Sequence, residues 1–232
     1  LSRRTFIKKS LLLGTGLSMG WLEAQSEPDT HLPIEGNKQV HDPVLIKEDD
    51  TYYLFCTGPG ISVRASKDLI TWELANPASV FAKTPAWVAE TIPNQNDFWA
   101  PDIAFYNGKY HLYYSVSTFG KNTSVIGLAT NKTLNPQSDD FAWNDEGLVI
   151  ASQINNTYNC IDPNLILDAQ GQPWLAFGSF WSGIKMRRLN LATGKLSTED
   201  TELYSLARRK VAPYPIEAPF MIYRNDYYYL FV

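Results

Sequence analysis

Three carboxylates stand beside prolines that open apolar runs: Asp42-Pro43, Asp162-Pro163 and Glu217-Ala218-Pro219, the last set back by one residue. The runs that follow are Val44-Leu45-Ile46, Asn164-Leu165-Ile166 and Phe220-Met221-Ile222. Brought together in one pocket, three acids raise one another's pKa, so that one stays protonated as a general acid while another remains an ionised base. Such a pair is the equipment of glycoside hydrolysis, where a carboxyl spacing of roughly 6.5 to 9.5 Å leaves room for a water and gives inversion. An isolated Asp-Pro merely starts a turn. Three in register ask for a repeated element that carries them to one place.

That element is visible once the chain is aligned on proline. His41-Asp42-Pro43-Val44, Trp99-Ala100-Pro101-Asp102, Ile161-Asp162-Pro163-Asn164 and Glu217-Ala218-Pro219-Phe220 are four copies, 58, 62 and 56 residues apart. Each is followed by a short polar turn and an aromatic-rich strand, such as Asn107-Gly108 into Lys109-Tyr110-His111-Leu112-Tyr113-Tyr114. These are hairpin signals. Third strands are expected near 61–65, 124–129 and 183–188, with outer strands at 69–73 and 147–150. Three or four antiparallel strands per unit, repeated at nearly sixty residues without helical periodicity, predict an all-β propeller in which the first strand of every blade lines the axis. Proline also biases the residue before it toward extended backbone, which predicts extended Asp42 and Asp162. The sequence stops within the second strand of the fourth copy, so the chain is expected to cover about three and a half blades of a longer protein.

Composition narrows the partners. With 232 residues, 44% hydrophobic and a formal net charge of -4, the chain can bury a sizeable core and lacks the basic excess that a nucleic-acid partner demands. The 7 Trp, 13 Tyr and 11 Phe suit strands, and they equally suit a cleft that covers the apolar faces of sugar rings. Residues 1–25 have a signal-peptide layout: basic Arg3-Arg4-Thr5-Phe6-Ile7-Lys8-Lys9, an apolar run Leu11–Leu22 too short for the roughly 20 residues of a membrane span, then small residues near Ala24. The paired arginines suggest twin-arginine export to a bacterial periplasm or the medium, with no membrane attachment after processing. Residues 26–37 read as a linker and 38–232 as the catalytic domain. Cys56 and Cys160 are expected as unpaired buried thiols, and no zinc-type motif is present.

The stretches His41-Asp42-Pro43, Phe98-Trp99-Ala100-Pro101-Asp102, Tyr113–Gly120, Ile161-Asp162-Pro163-Asn164, Gly178-Ser179-Phe180-Trp181-Ser182-Gly183-Ile184 and Glu217-Ala218-Pro219 together resemble the family 43 glycoside hydrolases, in particular the endo-1,5-α-L-arabinanases. The resemblance implies a five-bladed propeller, with Asp42 as the base that activates water, Glu217 as the acid that protonates the leaving oxygen, and Asp162 orienting Glu217 and raising its pKa. It also implies Trp99, Phe119, Asn159, Ser179, Phe180 and Trp181 as the substrate-binding set, and plant cell-wall arabinan or arabino-oligosaccharide bound by a monomer. Asp102, which follows its proline, reads as a structural hydrogen-bonder, and His41 as a neighbour of the site. Members of this kind hold a hydrated ion, often calcium, on the axis with a histidine of the last blade nearby. Neither His31 nor His111 replaces that histidine, and no residue of this chain is assigned as a metal ligand. Two other functions are compatible with the same residues: an exo-acting α-L-arabinofuranosidase or β-xylosidase, and a non-catalytic carbohydrate-binding propeller.

Overall fold

The computed structural model describes residues 33–232; the signal-peptide expectation for 1–25 and the linker up to 32 lie outside the described residues. The first unit contains β1 (Glu35–Gly36), β2 (Val44–Glu48), β3 (Thr51–Cys56), β4 (Gly58–Pro59), β5 (Ser62–Ser66) and β6 (Thr71–Ser79). A short helix, α1 (Ala86–Thr91), leads into β7 (Asp97–Tyr106), β8 (Lys109–Ser117), β9 (Ser124–Asn131) and β10 (Asn144–Ser152). Then come β11 (Asn164–Leu167), β12 (Pro173–Phe177), β13 (Ile184–Arg188) and β14 (Tyr204–Ala207), and last the hairpin β15 (Phe220–Arg224) and β16 (Tyr227–Phe231).

These strands form four sheets, ordered β1-β6-β5-β3-β2, β10-β9-β8-β7-β4, β11-β12-β13-β14 and β15-β16. Every proline-led strand (β2, β7, β11, β15) pairs antiparallel with the strand that follows it. The turns between them are built as their residues demand. Asn107 and Gly108 have φ of 49° and 73°, and Asn225 and Asp226 have 52° and 62°, so both central residues are left-handed, as in the tight turn that matches strand twist.

Part of the expected linker belongs to the fold. Glu35 and Gly36 run parallel to Thr71 and Trp72 of β6, with Glu35 N–H donating to Ile70 O at 2.9 Å. The ordered sheet therefore begins ahead of residue 38. Two further elements, α1 and β14, have no counterpart in the proline-aligned pattern: α1 is six residues long, too short to show a helical period, and β14 has only four.

The second sheet shows why the sheets stack. Tyr110, Leu112, Tyr114 and Val116 of β8 pack into a core with Tyr53, Phe55 and Val63 of the first sheet. The alternate residue Tyr113 packs on the other side with Leu175 and Phe177 of the third sheet. With a side-chain period of two, β8 and β9 are buried on both faces because each face meets a neighbouring sheet. The leading strands also adjoin in succession: β2 contacts β7, β7 contacts β11 and β11 contacts β15.

Asp102 of β7 stitches these leading strands together. Its buried carboxylate accepts Leu165 N–H at 2.6 Å and Asn164 Nδ2 at 3.1 Å, and Asn164 Oδ1 in turn accepts Met221 N–H at 2.8 Å. Burial pushes its pKa up to about 7, against the lowering effect of those donors. Cys56 and Cys160 are both buried free thiols; Cys56 Sγ accepts from Arg64, and burial pushes Cys160 up to about 12.

His111 is fully buried, stacked on Tyr106 at 3.7 Å, and its Nε2 has no hydrogen-bond partner among the described residues. Desolvation first, then the Lys109 charge, lowers its pKa to about 4. A folded value below the unfolded one means that the folded state refuses a proton between about pH 6.5 and 4. The His111 contribution is thus complete above that window and is lost as pH falls through it. Asp102, with a raised folded value, acts in the opposite sense. His111→Phe is expected to gain on the wild type by about 3 kcal/mol as pH is lowered from 6.5 to 4, read from denaturant midpoints of both proteins at each pH.

Candidate active site

The four residues that precede the repeated prolines share one backbone feature. Asp42, Ala100, Asp162 and Ala218 have φ of 48°, 42°, 56° and 51°. This overturns the extended conformation expected before proline, and the pairing shows what overrides it. Trp99 pairs with Ser115 and Asp102 with Tyr113, so three steps along β7 oppose two along β8. The same mismatch holds where Thr57 N–H donates to His41 O (3.0 Å) and Val44 pairs with Phe55. It recurs where Gly178 N–H donates to Ile161 O (2.9 Å) and Asn164 pairs with Ala176. Asp42, Ala100 and Asp162 each lie in a bulge, where one extra residue bends the strand and re-aims side chains. Proline suits such a site because it has no N–H to give to the ladder. Bulge and contacts together hold a conformation that is costly for a non-glycine residue.

The three acids from the first, third and fourth repeats line one cleft of about 1340 Å³. Trp99, Phe119, Asn159, Ser179, Phe180 and Trp181 line the same cleft, so all nine residues singled out from the sequence meet there. Asp42 and Glu217 are exposed to it, whereas Asp162 is half-buried. Burial first, then the negative charges of Asp42 and Glu217, push Asp162 up to about 7, opposed by the Ala218 N–H bond. Burial thus outweighs crowding in raising the recessed acid.

Each carboxylate is held by a different donor. Asp42 Oδ2 accepts from the Thr57 hydroxyl at 2.9 Å and lies 3.4 Å from His41 Nε2, an exposed contact worth little by itself. Asp162 Oδ2 accepts Ala218 N–H at 3.1 Å, and the Asp162 N–H donates to Ser115 Oγ at 3.0 Å. Glu217 Oε2 accepts from the buried Ser179 hydroxyl at 3.0 Å, while Phe180 N–H donates to Ile216 O at 2.8 Å and ties the two segments. Phe180 and Trp181 are themselves left-handed, at φ 53° and 37°. Phe119 is 93% exposed at the cleft rim, an open apolar face for a ligand. Asn159 is buried, its Oδ1 taken by the Ser124 hydroxyl at 2.7 Å, and it forms part of the cleft floor.

Two features were not anticipated from the residues. Arg208, Arg209 and Lys210 form part of the cleft lining, together with Lys121. Thr57 and Ser115 touch the acids' surroundings, and a signal for them exists: each stands 14 residues after its repeated proline. No group of three or more His, Cys, Asp or Glu side chains able to hold a metal ion occurs among the described residues.

An all-β chain that gathers carboxylates of separate repeats into an aromatic-lined cleft is built as carbohydrate-active proteins are. The chain belongs to the glycosyl hydrolases family 43, whose family model matches residues 33–232. It is 46% identical over 209 residues to an extracellular exo-α-(1→5)-L-arabinofuranosidase of Cellvibrio japonicus, covering 84% of this chain and 59% of that protein. To an extracellular endo-α-(1→5)-L-arabinanase of Bacillus subtilis it is 47% identical over 202 residues, with the same coverage. The chain therefore spans about three-fifths of the length of these relatives. Among solved structures, an endo-arabinanase of Bacillus licheniformis superposes with a TM-score of 0.79 at 44% identity, covering 86% of this chain and 67% of that one. A Cellvibrio cellulosa α-L-arabinanase bound to arabinohexaose gives 0.75 at 42% identity, covering 84% and 64%.

Proposed function

We propose that the full-length protein is a glycoside hydrolase that cleaves internal α-1,5-arabinofuranosidic bonds of arabinan with inversion. The observation that carries this is the convergence of Asp42, Asp162 and Glu217 from three repeats on one aromatic-lined cleft. Asp42, exposed and with Oδ2 held by Thr57, takes the proton of the attacking water. Glu217, held through Oε2 by Ser179, gives its proton to the departing oxygen. Asp162 is recessed from the cleft and acts on the segment that carries Glu217, because its carboxylate receives the N–H of Ala218 next door. Trp99, Phe119, Phe180 and Trp181 offer the ring faces against which furanose units lie.

The same proposal takes the sheets as successive blades of a five-bladed propeller, supported by the neighbouring contacts of β2, β7, β11 and β15 and by the repeated bulge. It takes the ordered catalytic domain as beginning near residue 33, the protein as a monomer, and its destination as outside the cytoplasm after an amino-terminal signal, in line with the extracellular relatives. An axial calcium rests on family resemblance. Such an ion takes oxygen ligands, water among them, and needs no cluster of acidic side chains.

The exo-acting relative makes the mode of cleavage the point to test. Chromatography of early products from linear arabinan is expected to show a ladder of arabino-oligosaccharides. Release of a single short product from the start identifies exo action, and binding without any product leaves only a carbohydrate-binding module.

A further inference from the structure

We infer that Thr57 is the positioning residue of the Asp42 carboxylate, an inference that rests on Asp42 being the base. The Thr57 hydroxyl sits between two groups of fixed polarity. Ala100 N–H, which can only donate, reaches Thr57 Oγ1 at 2.9 Å; Asp42 Oδ2, an acceptor when ionised, lies 2.9 Å from the same oxygen. With its acceptor side occupied by an amide, the hydroxyl directs its proton at Asp42. The bond is charge-assisted and has one orientation. Asp42 Oδ1 is left without a protein donor among the described residues, so it is the oxygen free to receive a proton from water.

The repeats extend this beyond a single contact. Ser115 occupies in the second repeat the place of Thr57 in the first, and its hydroxyl likewise accepts the N–H of the next repeat's pre-proline residue, Asp162, at 3.0 Å. Gly178 occupies that place in the third repeat and has no hydroxyl; the adjacent Ser179 donates to Glu217 instead. A hydroxyl on or just beyond the second strand thus bonds each of the three acidic residues, through the carboxylate of Asp42 and Glu217 and through the backbone N–H of Asp162. Only Thr57 both latches the neighbouring strained residue and donates to a carboxylate. Of the groups around Asp42, His41 lies 3.4 Å from the same Oδ2 at the surface, and the carboxyl groups of Asp162 and Glu217 share its cleft. Thr57 is therefore the neutral donor that holds the ionised form oriented among them.

The test compares Thr57→Val, which keeps the shape and removes the hydroxyl, with Thr57→Ser, which keeps the hydroxyl, after thermal melts show both folded. On linear arabinan, T57V is expected to lose roughly 10- to 100-fold in kcat, the span of one hydrogen bond to a charged group, with KM within about twofold. T57S returns kcat to near wild type. Independently of turnover, crystal structures of the two variants are expected to show the Asp42 carboxylate turned from its wild-type orientation in T57V and kept in T57S. An unchanged carboxylate orientation in T57V, or equal loss of kcat in both variants, overturns the inference. Wild-type protein that does not cleave arabinan would sink the proposed function alone, since the carboxylate orientation still decides the role of Thr57.

Discussion

Glu217→Ala in the full-length protein is expected to lower kcat on linear α-1,5-arabinan by roughly 10²- to 10⁴-fold, the range that a positioned general acid supplies. The same variant should hydrolyse an arabinofuranoside with an acidic phenol leaving group nearly as well as the wild type. The contrast follows from what the residue does. A sugar alkoxide is a poor leaving group without a proton, whereas a phenolate of low pKa departs unaided. Glu217 is exposed to the cleft and has one carboxyl oxygen engaged by Ser179, so its removal leaves the Asp162 contact to Ala218 N–H, a backbone group, in place. Steady-state kinetics on both substrates decide the matter. Equal loss on the two would show that Glu217 supports the site by some means other than protonating the leaving oxygen.

Asp42→Asn is expected to cost a similar 10²- to 10⁴-fold in kcat, and here the loss should be the same for both substrates. Whatever the leaving group, water must give up a proton, and an amide cannot take it. Asparagine keeps a carbonyl oxygen that can accept from Thr57, so the latch from Thr57 to Ala100 survives and the fold should melt within about 2 °C of wild type. Activity that survives this substitution would show that Asp42 is not the base. Loss confined to the natural polymer would assign it to binding.

Much of this site was legible because proline marks a repeat. Aligning on Pro43, Pro101, Pro163 and Pro219 brings Asp42 and Asp162 into register and sets Glu217 one residue off, and those acids do share a cleft. The hairpins were equally readable, since Asn107-Gly108 and Asn225-Asp226 name their turns. The backbone before the prolines was not. Local sterics favour extended geometry there, and the left-handed value arises from an interstrand bulge, a pairing property that single-residue preferences do not contain. Thr57 and Ser115 escaped notice for a related reason: a hydroxyl at a strand end is ordinary until its partners arrive from the next repeat. The cationic wall of Arg208, Arg209 and Lys210 gave no signal beyond three adjacent charges, which are usually solvated. The family resemblance places a raised pKa on Glu217, whereas the structure raises that of Asp162 through burial, which crowding read from sequence does not contain. Only the fold makes Asp162 the recessed acid.

The anomeric configuration of the first product, followed by ¹H NMR from the moment of mixing wild-type full-length protein with a short α-1,5-arabino-oligosaccharide, tests most directly whether Asp42 and Glu217 flank the bond as base and acid. Direct attack of a water activated by one and departure aided by the other must yield the β-anomer first, with the α-anomer appearing only by mutarotation. Initial appearance of the α-anomer would mean that a carboxylate attacks the sugar itself, and Asp42 and Glu217 could not then be the base and acid of a single displacement.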